Sequence, residues 1–241
     1  MVPPYDEDFQ RALEAAKLEA MAEFAAGAGH EINNPLTVIS GRAQLLLREE
    51  TDPERRHALA LISAQAMRVY EMIADMMLFA RPPKPERQTI ELIGWLDALV
   101  ADLSDRAAAQ ETSLSRVGED GPLRLEVDPA QLSVALRAMC QNALESLGHG
   151  GRIELDAATD GSQVKIRVRD DGPGIRPEER RHLFDPFYSA RQAGRGLGLG
   201  LSKAWRIVTN HGGRIDVSET AGRGAEFTIG LPQSATHRPT P

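Results

Sequence analysis

The stretch Val168-Arg169-Asp170-Asp171-Gly172-Pro173-Gly174-Ile175 decides how this chain folds. It closes an alternating run, Gln163–Arg169, with a carboxylate and then a Gly-Pro-Gly turn. Strict alternation marks a half-buried strand, and the glycines stop it while letting backbone approach a ligand closely. Outward from this strand, Leu123–Val127, Arg152–Ala157, Arg214–Ser218 and Ala225–Leu231 alternate in the same way, and Asp160-Gly161 marks a hairpin. Leu92–Leu103, Pro129–Leu147 and Leu201–His211 carry helical spacing. Strands and helices in this order predict an α/β sandwich, with helices on one face of a mixed sheet.

Two further segments belong with that turn. Gly196-Leu197-Gly198-Leu199-Gly200-Leu201 precedes the last helix. Glycines before a helix N-terminus expose backbone N–H groups to an anion, which the helix dipole also favours. Gln141-Asn142-Ala143-Leu144-Glu145 lies on the Pro129–Leu147 helix, where an amide oxygen suits a hard divalent cation. Taken singly, each glycine run reads equally well as a surface turn. Neither run has the Gly-Lys-Ser/Thr ending of a P-loop or the spacing of a dinucleotide fingerprint.

The first 80 residues read differently. Leu18, Met21, Ala25, Ala28 and Ile32 step by three and four, and Leu36, Ile39, Ala43 and Leu46 resume the pattern. Leu59, Ile62, Ala66, Val69, Ile73, Met76 and Ala80 alternate strictly in threes and fours. Such a narrow seam belongs to a helical bundle. Between the two runs stands Glu50-Thr51-Asp52-Pro53, with Asp52 suited to cap a helix and Pro53 to start it. The prediction is an antiparallel hairpin. Two helices cannot surround their own seam, so pairing of two chains into a four-helix bundle follows. Arg81-Pro82-Pro83-Lys84-Pro85-Glu86 ends the second helix and makes a stiff linker.

Inside the first helix lies His30-Glu31-Ile32-Asn33-Asn34-Pro35. His30 falls between seam residues and so faces outward, and Asn34 follows one turn later on the same side. Pro35 deprives the Glu31 carbonyl of its helical donor, and a bend is expected there. An exposed histidine beside a carboxylate suits a nucleophile with an adjacent base. On its own the pair also fits a solvated bundle surface.

Composition narrows the field. The net charge of −7 over 241 residues argues against nucleic-acid binding. The one cysteine, Cys140, sits at a helical apolar position and reads as core packing, and the absence of a possible intrachain disulfide suggests a reducing, cytoplasmic setting. No apolar run is long enough to span a membrane, so the chain reads as soluble. The tail 233–241 is polar and proline-bearing, and reads as disordered.

In this order, these segments resemble the transmitter core of the bacterial two-component sensor histidine kinases. His30-Glu31-Ile32-Asn33-Asn34-Pro35-Leu36 is similar to the phosphoacceptor box, and Asn142 stands at the magnesium-binding asparagine. Asp170, Gly172 and Gly174 match the first glycine box, Phe184-Asp185-Pro186-Phe187 the phenylalanine box, and Gly196 to Gly200 the second glycine box. Arg191 stands where many members have a phosphate-facing lysine, and Thr228 matches a final-strand threonine near the adenine. One departure is Ala138, where many members carry a second asparagine.

The resemblance implies a dimeric hairpin over 1–80 that carries His30, a linker at 81–87, and an ATP-binding domain over 88–232. That domain would have the sandwich fold shared by histidine kinases and the Hsp90 chaperones. The implied catalytic residues are His30, Glu31 as base and Asn34 in dephosphorylating the partner. The implied ATP contacts are Asn142, Glu145, Asp170, Gly172, Gly174, Ile175, Phe187, Arg191, Gly196, Gly198, Leu199, Gly200, Leu201 and Thr228, with Mg2+ on Asn142 and residues 187–196 as a lid. The implied activity is autophosphorylation of His30 from ATP and transfer to an aspartate of a response-regulator receiver domain. A phosphatase-biased or weakly active scaffold for the response regulator and a related ATPase clamp are the alternatives. The resemblance also implies an upstream sensor domain, expected to be absent from this chain or separate.

Overall fold

Asp52 and Pro53 make the first corner of the fold. In the computed structural model, which describes residues 7–188, 198–219 and 224–233, helix α1 (Glu7–Glu49) turns back into α2 (Pro53–Ala80) at this point. The Asp52 carboxylate accepts from the amides of Glu54 and Arg55 at 2.9 and 3.0 Å and caps α2. The Arg56 guanidinium donates to the carbonyls of Leu47 and Glu50 at 3.0 and 2.8 Å, serving the end of α1. α1 stays helical through Pro35, where the Thr37 hydroxyl donates to the Asn33 carbonyl at 2.8 Å.

The face that α1 turns to α2 differs from the expected seam by one position. Ala22, Ala25, Gly29 and Ala43 are buried, and Asn33, Leu36, Ser40 and Leu47 are half-buried. On α2 the matching line includes Leu59, Ser63, Ala66, Ile73, Met77 and Ala80, and the Ser40 and Ser63 hydroxyls meet at 3.1 Å. Small residues win this face because the helices approach closely: a β-carbon on Gly29 would lie 3.3 Å from Ile73 Cγ2. The larger Ile32, Ile39, Leu46, Ile62 and Val69 lie on a neighbouring stripe and are exposed, as are Phe24, Val38 and Leu45.

The chain divides into two units, Met1–Pro83 and Lys84–Pro241. In the second, β1 (Gln88–Glu91) pairs antiparallel with β3 (Arg124–Val127). β2 (Ser113–Arg116), β4 (Arg152–Asp160), β5 (Gln163–Asp170), β6 (Arg214–Glu219) and β7 (Ala225–Pro232) form one sheet in the order β2-β4-β5-β7-β6. Among the described residues, β2–β4 is the one parallel pair in this sheet. Helices α3 (Leu92–Ala108), α4 (Pro129–Leu147) and α6 (Gly200–Asn210) pack with the strands, and a short α5 (Pro177–Arg180) follows the Gly-Pro-Gly turn. The β4–β5 turn is Gly161-Ser162, with Gly161 at φ +62°, a left-handed conformation that favours glycine.

Alternation sorts the sheet's two faces. Ile153, Leu155, Val164, Ile166, Val168, Phe227, Ile229 and Leu231 are buried beneath the helices, together with Leu132, Leu136, Met139 and Leu144 of α4. Cys140 is fully enclosed in this core, and burial pushes its thiol up to about 12, so it is inert packing. The opposite face is a ladder of charges. Arg167 and Arg169 reach Asp156 at 2.9 and 2.7 Å, and Arg169 also pairs with Glu226. These cross-strand partners let the open face stay in water.

Candidate functional site

His30, Glu31 and Asn34 are all exposed on α1. Their neighbour Gly29 is buried against α2, so the backbone beside His30 is held close to the partner helix while the imidazole faces solvent. His30 and Asn34 share a face, and Glu31 is turned from it by about 100°. Leu36, Thr37, Ser40, Gln44, Ala66, Met67 and Tyr70 line a groove of about 290 Å³ between the two helices, beginning roughly 9 Å along α1 from His30.

In the second unit, Asp170 ends β5 and is only 4% exposed. Its Oδ1 accepts from the amides of Gly172 and Ala225 at 3.0 and 3.4 Å. Gly172 has no room for a side chain: a β-carbon would stand 2.9 Å from Asp170 Oδ1 and 3.5 Å from Ser146 Oγ. The turn therefore presses against the C-terminal end of α4. Asp171 clamps it from the other side, accepting from the Arg152 amide at 2.7 Å. Gly174 takes φ +78°, and Ile175 beside it is half-buried.

Asn142 and Glu145 flank the buried stripe of α4 and are half-buried. The Gln141 side-chain amide donates to Glu145 Oε1 at 2.7 Å and orients that carboxylate. One turn before Asn142, Ala138 Cβ lies 3.9 Å from the position a β-carbon would take on Gly200. The start of α6 thus abuts the flank that carries Asn142. Among the described residues no side chain caps the start of α6 at Leu199, so the N–H groups of its first turn lack a side-chain acceptor. Gly198, at φ +69°, lies against the Phe187–Tyr188 backbone, where a β-carbon would come within 2.6 Å of the Tyr188 carbonyl oxygen. Phe187 itself takes φ +65° and leaves its ring exposed.

The structure thus gathers Asn142, Glu145, Asp170, Gly172, Phe187, Gly198 and Gly200 through a chain of contacts among α4, the β5 turn and the start of α6. Arg191, Gly196 and most of the expected lid lie outside the described residues. Thr228 does not join them. It pairs with Arg167 and Asp216 in register, and its hydroxyl donates to Glu226 at 3.3 Å on the charged face, opposite Asp170. The β7 residue that reaches Asp170 is Ala225, through its backbone amide. Period-2 reading of Phe227, Ile229 and Leu231 as inward already places Thr228 outward.

Residues 127–235 match the histidine kinase-, DNA gyrase B- and HSP90-like ATPase family, and residues 20–84 match the His kinase A phospho-acceptor domain. The chain belongs to the histidine kinases. Among its curated histidine kinase relatives, sensor histidine kinase ZraS of Escherichia coli strain K12 is 31% identical over 92% of this chain and 48% of that protein. Sporulation kinase D of Bacillus subtilis strain 168 is 31% identical over 92% of this chain and 44% of that protein. The chain therefore spans about half the length of the curated relatives it matches. Full-length ShkA, solved in complex with AMPPNP, superposes with a TM-score of 0.75 at 26% identity, over 88% of this chain and 46% of that one. The histidine kinase ThkA, solved in complex with response regulator protein TrrA, shares the fold with a TM-score of 0.66 at 23% identity, over 99% of this chain and 69% of that one. As in a histidine kinase transmitter core, the helical phosphoacceptor unit precedes the α/β ATPase unit. No helix among the described residues is long and apolar enough to cross a membrane.

Proposed function

We propose that this chain binds ATP, phosphorylates its own His30 and passes the phosphoryl group to an aspartate of a response-regulator receiver domain. One observation carries the reading. A single chain combines an exposed histidine in a phosphoacceptor helix with a buried Asp170 whose neighbours, Gly172 and an uncapped helix start, suit a nucleotide. Residues 1–80 are the phosphotransfer hairpin, 81–87 the linker and 88–232 the ATP domain. Asp170 accepts from the adenine amino group, and the Gly198–Leu201 amides receive the phosphates. Arg191 supplies a further positive charge to them.

In the first step a ring nitrogen of His30 attacks the γ-phosphorus, the bond to the bridging oxygen breaks and ADP leaves. The ring proton passes to Glu31, from which solvent removes it. In the second step a receiver carboxylate attacks the phosphorus, the N–P bond breaks, and the departing ring nitrogen takes a proton from solvent, which restores neutral His30. Alignment and charge neutralisation supply most of the acceleration in phosphoryl transfer. The half-buried Asn142 amide and the Glu145 carboxylate, oriented by Gln141, are oxygen donors of the kind that suits Mg2+ held also by phosphates and water. Asn142 would hold it, with the oriented Glu145 carboxylate beside it, and the bound ion would neutralise phosphate charge. Ala138 offers no second amide.

The exposed stripe of Ile32, Ile39, Leu46, Ile62 and Val69 supports a homodimer, since a second hairpin covers it in a four-helix bundle. The groove beside Leu36 and Tyr70 gives a receiver domain a surface within reach of His30.

Incubation with γ-labelled ATP and Mg2+ tests the proposal. Acid-labile, base-stable label on the chain, lost in His30→Ala while ATP binding persists, is the expected result. Free phosphate without labelled protein would point to an ATPase clamp instead. Neither product would point to a phosphatase-biased scaffold.

A further inference from the structure

Where the chain enters its second unit, several hydrogen bonds converge on two buried side chains. Asp128, 8% exposed, stands between β3 and α4. Its Oδ1 caps α4 by accepting from the amides of Ala130 and Gln131 at 3.0 and 3.1 Å. Its Oδ2 does something else: it accepts from the backbone amide of Glu86, in the linker, at 3.0 Å. The Asp128 amide in turn donates to His211 Nε2 at 3.1 Å.

His211, 3% exposed, follows the last residue of α6. Its Nδ1 lies 2.8 Å from the Ile207 carbonyl oxygen. A carbonyl can only accept and an amide N–H can only donate, so the ring is neutral with its proton on Nδ1. Alongside, the Arg87 guanidinium donates to the Asn210 carbonyl at 3.4 Å, and Gln88 pairs with Val127. The end of the linker is therefore tied both to the N-terminus of α4 and to the C-terminus of α6. The opposite ends of these helices carry Asn142 and Gly200, about 20 Å away along α4.

We propose that Asp128 and His211 are positioning residues that latch the linker at Glu86–Arg87 to both nucleotide-site helices, so that nucleotide binding and linker docking favour one another. This rests on the nucleotide-binding reading above. The division of labour within one carboxylate carries it: Oδ1 serves the helix, and Oδ2 serves the linker. α4 and α6 pack against each other, so the latch joins the linker to a helix pair that acts together. Linkage makes the effect reciprocal: a linker that steadies the nucleotide site is itself steadied when that site fills.

Glu86→Pro tests this without altering the Asp128 or His211 side chains, because it deletes the amide that donates to Oδ2. Arg87→Ala removes the second tie. In the full chain, a non-hydrolysable ATP analogue should slow hydrogen exchange at the amides of Glu86 and Arg87 by about tenfold. Each variant should bind the analogue three- to tenfold more weakly than wild type while staying folded, as circular dichroism reads. Analogue binding that leaves those amides exchanging at the same rate would overturn the latch, as would variants with wild-type affinity. A wild type that binds no analogue would overturn the nucleotide reading first, and the latch with it.

Discussion

Replacing Asp170 by asparagine changes one oxygen for an NH2 group at a site that is almost fully enclosed, and the surroundings dictate how the new side chain sits. Two backbone amides, Gly172 and Ala225, donate to Oδ1 at 3.0 and 3.4 Å. An asparagine keeps both bonds only by leaving its oxygen there, so its NH2 takes the place of Oδ2. A donor then stands where the carboxylate offers an acceptor to the adenine amino group. An unmatched buried polar pair costs about 1–3 kcal/mol, which is roughly 5- to 150-fold in affinity. The fold should survive, because the internal bonds persist and only their charge assistance is lost. About 1 kcal/mol there lowers the melting temperature by about 2–4 °C. Calorimetric titration of a non-hydrolysable ATP analogue into wild type and Asp170→Asn measures the loss, with the GTP counterpart as control. GTP presents a carbonyl toward Asp170 and should bind the wild type poorly. A folded variant that binds within twofold of wild type, or a wild type indifferent to the base, would remove Asp170 from the adenine site.

Ile62→Asp with Val69→Asp should convert a dimer into a folded monomer, because both side chains are exposed in the single hairpin and buried only by a second copy; sedimentation at micromolar concentration reads the outcome. Asn34→Ala should leave His30 labelling within a few-fold of wild type yet slow hydrolysis of a receiver's aspartyl phosphate by about tenfold, the cost of one oriented hydrogen bond. If both activities fall together, Asn34 supports the helix rather than water. Acid should loosen the ATP domain for a nameable reason. Burial alone would raise the Asp128 carboxyl, but the amides of Glu86, Gln131 and Ala130 outweigh it and hold the group below the usual carboxylate range. A depressed carboxylate stabilises the fold above its ordinary value and loses that contribution as pH falls through its folded value. Melting temperature should therefore fall below about pH 4, and Asp128→Asn should flatten the slope in that window.

Much of this was legible in the residues. Asp52-Pro53 names its own turn, Pro129–Leu147 its own helix, and the glycines around Asp170 and Gly200 their own close approaches. What resisted reading has physical causes. α1 carries apolar residues on two adjoining stripes, and a three-four spacing fits either one; the small side chains at Ala22, Gly29 and Ser40 take the inner stripe because they let the helices touch. Likeness to a motif puts Thr228 near the adenine, whereas the alternation of Phe227 and Ile229 turns it outward. β1 and β2 have four residues each and little apolar patterning, and they exist because β3 and β4 are there to pair with. The Asp128–His211 contact spans 83 positions and leaves no local trace.

The inner stripe of the hairpin has a further meaning. Alanine, glycine and serine remove little apolar surface from water when they meet, at about 25 cal/mol per Å², while Phe24, Leu45, Leu46 and Ile62 remain wet. A lone hairpin thus forgoes most of the burial its composition offers, whereas the ATP domain has completed its own core within one chain. With the homodimer proposed above, dilution separates the two halves. The histidine carrier melts at a temperature set by how many copies surround it, and the nucleotide binder melts at one that concentration leaves alone.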